Sequence, residues 1–236
     1  MASMVFSALA LAEKETPPAL DGVEVMEWRW DPIASRPKDR QNGAMDNARK
    51  NEILALAAED DRLRKRLEQD GSFFAEYSEE LEGIHLRNSE KLASYVAEFG
   101  FPRISREGAE VCAAACKLVL RSISRPGFQR DCLVLMREGL DQGEVPANYV
   151  ALLEDRIRYF EGRPQLYGTN VDWDSAGRRV ITPVEEEASL NQRRAFMGLP
   201  AISLKEPVAG PELGAVDPTR RQEEFFAWLR KTGWRS

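Results

Sequence analysis

Apolar positions recur every three to four residues along most of the central chain, the period of a helix with one buried face. Over residues 46–69, Ile53, Leu54, Ala57, Leu63 and Leu67 form one stripe among Glu, Asp, Lys and Arg, and Gly71 stops it. Ser72 is a cap for a second predicted helix carrying Phe73, Phe74, Tyr77 and Leu81. A third is expected from Arg87 or Asn88, with Leu92, Tyr95, Val96 and Phe99, closed by Gly100 and Pro102. Ser105-Arg106-Glu107-Gly108 opens a fourth, whose Val111, Ala114, Ala115, Leu118 and Val119 leave almost no polar face and predict a central position. A fifth holds Phe128, Cys132, Leu133, Leu135, Met136 and Leu140 and ends at Gly143. Pro146 suits the first turn of a sixth, which carries Tyr149, Leu152, Leu153, Ile157 and Phe160 as far as Gly162.

After Pro164 the period shortens. Residues 166–173 and 178–182 alternate around an Asp174-Ser175-Ala176-Gly177 turn, which predicts a β-hairpin. Helical spacing returns over residues 186–197. Glu185, Glu186 and Glu187 there read as a charged first turn favoured by the helix dipole, and Gly198-Leu199-Pro200 ends the segment. The expected fold class is mainly α, a helical bundle-like domain with a small β-hairpin and irregular termini. Four stretches follow from the pattern. Residues 1–41 form an extended arm, with Trp28 and Trp30 alternating with charge. Residues 42–200 form the helical domain. Residues 201–218, with Pro207, Pro211 and Pro218, read as a linker, and residues 219–236 as an amphipathic helix bearing Phe225, Phe226, Trp228 and Leu229. That last helix is expected at the periphery.

Composition narrows the function more by exclusion than by indication. A chain of 236 residues with 43% hydrophobic and 31% charged residues can bury a core without staples. The net charge of −6 disfavours nucleic acid as the main partner, since phosphate binding needs a basic surface. Three cysteines, Cys112, Cys116 and Cys132, are too few and odd in number for a disulfide framework. Cys112 and Cys116 share a helix face and read as core. One histidine, His85, cannot supply a multi-histidine metal site, so no tightly bound transition metal is expected, although carboxylates could hold magnesium or calcium loosely; no cofactor is expected. His85 reads as a surface residue at a helix junction. No run of about 20 apolar residues predicts a spanning helix. Localisation is expected to be cytoplasmic, or exported if the apolar residues 4–12 belong to a truncated signal peptide.

A set of ordered pieces lies between residues 99 and 200: Phe101-Pro102; Phe128-Gln129-Arg130-Asp131-Cys132-Leu133; Gly143-Glu144-Val145; Leu153-Glu154-Asp155-Arg156; Gln165-Leu166-Tyr167-Gly168-Thr169; and Arg193-Arg194 with Gly198-Leu199-Pro200. In their order and spacing these pieces resemble the bacterial domain-of-unknown-function family 6624. The resemblance implies a mainly helical domain and no particular activity. It also implies a histidine in the loop after the central helix, where this chain has Leu120-Arg121-Ser122.

The residues support a reading of their own. Gln165, Tyr167 and Thr169 alternate, so an extended strand would point them to one side, and Gly168 permits close backbone approach. Asp155 and Arg156 lie near the end of the preceding helix, and Arg193 and Arg194 supply planar charged forks suited to carboxylate or phosphate. This set is either a ligand site or a polar network that locks the hairpin onto the helices. Two functions remain open: a binding or interaction protein without catalytic machinery, whose partner is an anionic small molecule or a protein; or an enzyme of hydrolase or transferase type acting on an anionic small molecule through those residues.

Overall fold

The computed structural model describes residues 43–70, 78–174, 177–206, 208–209 and 218–236. The arm with Trp28 and Trp30, the apolar residues 4–12, and the Ser72 cap with Phe73, Phe74 and Tyr77 lie outside the described residues. The protein is mainly α. Its helices are α1 (Asn47–Gln69), α2 (Glu79–Phe99), α3 (Ile104–Glu107), α4 (Ala109–Arg121), α5 (Pro126–Asp141) and α6 (Ala147–Phe160). After a two-stranded hairpin come α7 (Leu190–Phe196) and α8 (Pro218–Thr232).

Helix starts follow local chemistry. Asp46 caps α1 by accepting from the Arg49 N–H at 2.9 Å, and Ser78 caps α2 by accepting from the Leu81 N–H at 3.2 Å. Glu79, Glu80 and Glu82 then fill the first turn of α2, where the helix dipole favours anions. No break occurs at Gly83 or Arg87, so the helix expected to begin near Asn88 starts at Glu79. An interior glycine costs roughly 1 kcal/mol, which a continuous buried stripe of Leu81, His85, Asn88, Leu92 and Val96 outweighs. The predicted fourth helix divides instead. Gly108, at φ 97°, turns the chain between the short α3 and α4.

Helix α4 is the hub, packed against α1, α2, α3, α5 and α6. Its buried face combines Val111, Leu118, Val119 and Leu120 with Cys112, Ala114, Ala115 and Cys116, whose small side chains let neighbouring helices approach. All three cysteines are free and buried. Close packing recurs at Gly139 of α5, where a Cβ would stand 2.5 Å from Cγ2 of Val145.

The hairpin is shorter than the sequence pattern. Strand β1 (Val171–Trp173) pairs antiparallel with β2 (Arg179–Ile181), with Val171 opposite Ile181 and Trp173 opposite Arg179. Residues 166–170 are not strand; Gln165 makes an isolated parallel bridge with Val184. The glutamates do not begin a helix either. Glu186 is left-handed at φ 46°, a 3-10 turn covers Glu187–Ser189, and α7 starts only at Leu190.

The terminal helix corrects the expectation of a peripheral element. Phe225, Trp228, Leu229 and Trp234 are 0–4% exposed and belong to the main core. Phe160 at the end of α6 meets Trp234 at 4.9 Å and Trp228 at 5.4 Å between ring centroids. The Trp234 indole donates to the Ile123 carbonyl at 2.7 Å, and Arg235 donates to the Phe160 carbonyl at 2.7 Å. Upstream, the stretch read as linker is tied down where it is described. Ile202 exchanges hydrogen bonds with the Asn191 side chain, and the Val208 N–H donates to the Arg179 carbonyl.

Candidate functional site

The structure gathers six of the seven residues singled out from the sequence, and Asp155 is their centre. Its side chain is fully buried near the end of α6. Oδ1 accepts from the Leu166 N–H at 2.7 Å and the Tyr167 N–H at 3.1 Å; Oδ2 accepts from the Thr169 N–H and hydroxyl, both at 3.0 Å. These are the amides a strand would have sent to a neighbouring strand, so the segment curls round the carboxylate and Gln165, Tyr167 and Thr169 do not share one strand face. Gly168 makes the curl possible at φ 63°, with Ile202, Ile181 and Val184 packed 3.2–3.4 Å from where a Cβ would stand. Burial raises the Asp155 carboxyl above its ordinary value although every one of these donors pulls it down.

The rest of the set completes the cradle. Gln165, fully buried, donates to the Asn170 carbonyl and to the Thr182 hydroxyl at 2.6 Å, and its Oε1 accepts from the Asn170 N–H at 2.6 Å. Arg193 donates to the carbonyls of Leu166, Glu185 and Glu186 and to the Ser189 hydroxyl. Arg194, buried on α7, donates to the Tyr167 and Pro200 carbonyls. The two guanidiniums that looked suited to an external anion are engaged with backbone and side-chain oxygens of this chain.

Arg156 goes elsewhere. Its Nη1 donates to the Leu120 carbonyl at 2.6 Å, at the C-terminal end of α4, and not to Asp155 or a hairpin carbonyl. Here α1, α2, α4, α5 and α6 contribute to a second polar cluster. Asp60 of α1 is fully buried; its Oδ1 lies 3.5 Å from Nε2 of His85 on α2 and 3.3 Å from Nη1 of Arg121. Arg121 also pairs with Asp61 at 2.6 Å, and Lys117 reaches the same Asp61 at 3.3 Å. Gln129 of α5 donates to the Val119 and Leu120 carbonyls, so its amide and the Arg156 guanidinium share one acceptor.

The electrostatics of this cluster are distinctive. Burial lowers the Arg156 guanidinium to about 10, and the cations of Arg64 and Arg121 add to the effect. Arg64 is lowered by burial and then by Arg121. Burial lowers His85 and so favours the neutral imidazole, against the pull of Asp60; the cations of Arg64 and Arg121 act in the same direction as burial. Asp60 is raised by burial, but His85, Arg121 and Arg64 outweigh that and hold it below its ordinary value, so it is ionised at neutral pH. Both Asp60 oxygens, Nη1 of Arg121, Nε of Arg156 and Oε1 of Gln129 lack a hydrogen-bond partner among the described residues.

His85 is therefore 4% exposed inside a helix, not at a surface junction. Two sequence signals pointed here unread: Asp60 occupies a position of the α1 stripe between Ala57 and Leu63, and His85 and Asn88 occupy the α2 stripe between Leu81 and Leu92. Among the described residues, no group of three or more His, Cys, Asp or Glu is placed to hold a metal ion.

The match to a family model covers residues 47–208, from the start of α1 through the hairpin and α7. The chain belongs to the family of unknown function DUF6624. The DUF6624 domain thus reaches about fifty residues further toward the N-terminus than the pieces quoted from the sequence, and it includes both polar clusters. No curated protein and no solved structure matches the chain. No helix among the described residues is long and apolar enough to cross a membrane.

Proposed function

We propose that this DUF6624 domain binds a small anionic molecule at the C-terminal end of α4, between Arg121 and Arg156, with Asp60 and His85 at its floor. The observation that carries the reading is Arg156. It is a half-buried guanidinium held beside Arg64 and Arg121, and its only hydrogen-bond partner among the described residues is a carbonyl. The dipole of α4 accounts for some cation at that end. It does not account for a third guanidinium, Arg156, whose charge is disfavoured by Arg64 and Arg121 and whose Nε has no hydrogen-bond partner among the described residues. A carboxylate or phosphate between Arg121 and Arg156 satisfies that donor and relieves the repulsion, as planar forks do elsewhere. Within the sequence-derived set, Arg156 is the member that points away from the cradle and keeps a buried donor, Nε, without a partner among the described residues.

A second reading, an enzyme of hydrolase or transferase type at the same place, is favoured by one observation: a buried imidazole kept neutral beside an ionised carboxylate, the state a general base requires. Chemical change of a bound ligand, rather than saturation alone, would mark it.

The test is thermal unfolding of the full chain with phosphate, sulfate or small carboxylates at constant ionic strength, chloride serving as the reference. A ligand at 100 times its dissociation constant adds about 2.7 kcal/mol. The expected result is a concentration-dependent rise in Tm that Arg156→Met abolishes. No rise with any anion, or an equal rise in the variant, overturns the proposal.

A further inference from the structure

We infer that the molecule bound at this site carries hydroxyl groups next to its anionic group, as a hydroxy acid or a sugar phosphate does. The inference rests on the anion-site reading above and concerns the floor of the same site. Asp60 is fully buried at the middle of α1, remote from either helix end; its Oδ1 faces Arg121 at 3.3 Å and His85 at 3.5 Å, and its Oδ2 has no hydrogen bond among the described residues. Gln129 is equally buried; its amide N–H groups go to α4 carbonyls and its Oε1 has no donor. Asn88, one turn beyond His85 on α2 and 1% exposed, has neither side-chain atom bonded. Buried polar atoms are almost always satisfied, so three such residues, on α1, α5 and α2, are an unfilled requirement.

The unmet atoms divide by type. Arg156 offers an unbonded donor at Nε, which an anion fills, beside the Arg121 cation. Asp60, ionised, and Gln129 Oε1 offer acceptors, which an anion cannot fill and which Asp60 would repel. A bare anion therefore meets half of the site. An ammonium group would meet the acceptors but would add a further cation beside Arg64, Arg121 and Arg156. A hydroxyl donates to Asp60 and brings no charge, so a hydroxylated anion satisfies both halves.

Near-isosteric probes separate these cases on the unmutated full chain: acetate, glycolate and glycine as one series, propyl phosphate and glycerol 3-phosphate as another, each titrated by calorimetry. The hydroxylated member of whichever series binds is expected to bind at least tenfold more tightly than the bare anion. Asp60→Asn is expected to bring that ratio close to one. A ratio near one in the unmutated chain overturns the inference, assigns the floor to ordered water and leaves the anion site standing. Glycine binding best replaces hydroxyl by ammonium and overturns it too. An unchanged ratio in Asp60→Asn removes Asp60 as the reader. If no member of either series binds, the anion-site reading itself has failed. The comparison on the unmutated chain decides the matter even if Asp60→Asn does not fold.

Discussion

Asp155 and Asp60 are the same residue type, both fully buried, and their surroundings are opposites. Asp155 receives donors on both oxygens, almost all from the backbone of a single four-residue segment, 166–169. Asp60 has the Arg121 guanidinium and the His85 imidazole near one oxygen, at 3.3 Å and 3.5 Å, and no hydrogen bond on the other among the described residues. Helix α6 links the two regions, sending Asp155 into one and the next residue, Arg156, into the other. The difference teaches how to separate structure from function where residue types are alike. A buried carboxylate saturated by its own chain is part of the scaffold. One held ionised by cations, with an oxygen left unbonded, is where we propose that another molecule binds.

The comparison depends on α6 being fixed, and its far end is held by the terminal helix. Deleting residues 218–236 is expected to have the largest effect. Phe225, Trp228, Leu229 and Trp234 each contribute about 1.5–3 kcal/mol by burial. Their sum rivals the whole net stability of a domain, about 5–15 kcal/mol. The truncated chain should lose cooperative unfolding by circular dichroism, and Trp234→Ala alone should cost about 3–5 kcal/mol. A truncated chain that melts cooperatively near the full-length Tm would show that α6 needs no such support.

Asp155→Ala comes next. It strands the amides of Leu166, Tyr167 and Thr169 and frees the loop on which Arg193 and Arg194 close. Breaking a buried charged network of this kind costs about 4 kcal/mol. Urea titration gives the number. A loss below about 1 kcal/mol would mean that the cradle is not scaffold, and the contrast with Asp60 would dissolve.

The helical architecture was legible because it rests on period and punctuation: the stripe of α1, the apolar α4 and the Pro146 start are local properties. The hairpin was legible in place but not in length, because a side chain eleven residues upstream, Asp155, takes the amides that would have extended β1. The helix α8 was misread since prolines and glycines before it are a linker signal, whereas its aromatic face is explained only by Phe160 and Tyr159, some sixty residues earlier. The cradle set was found almost complete because its members cluster in sequence. The second cluster was not, because Asp60, His85, Arg121 and Arg156 come from four helices, and a charged residue inside an apolar stripe was read as background.

A third buried aspartate sharpens the scale. Asp172 of β1 is 2% exposed and accepts from the Tyr159 hydroxyl at 3.0 Å and the Trp173 N–H at 2.6 Å. Burial pushes its carboxyl up to about 8, against the pull of Trp173, Tyr159 and Arg221. A folded-state pKa raised above the unfolded value gives stability that is present below the ordinary carboxylate range and lost as pH rises through about 8. One proton corresponds to about 1.4 kcal/mol per pH unit, hence about 2.8 kcal/mol between roughly pH 5 and 7. The lowered Asp60 acts in the opposite window, its stabilisation being lost as pH falls below the ordinary carboxylate range. Unfolding free energies of the unmutated chain and Asp172→Asn should diverge across this range. Parallel curves would show Asp172 ionised throughout, with its two donors sufficient.

The smallest expected effect on stability belongs to Arg156→Met, and it discriminates best between the two regions. The arginine fork gives one hydrogen bond to Leu120, a carbonyl that also accepts from Gln129 at 3.2 Å and so stays bonded without it. Removing the side chain also removes a cation that burial, Arg64 and Arg121 all disfavour. Methionine keeps much of the stem's packing against α4. The lost bond and the relieved repulsion oppose each other, so the net change should lie within about 1 kcal/mol. Anion binding should meanwhile fall at least tenfold. This combination, nearly neutral for folding and severe for binding, is the signature of a residue retained for its ligand, since function is commonly kept at some expense of stability. Its neighbour Asp155 should behave in the reverse sense, with a severe loss in folding. Arg156→Met costing as much as Asp155→Ala in urea titration, with unchanged anion titration, would place both residues in the scaffold and leave α6 with one role instead of two.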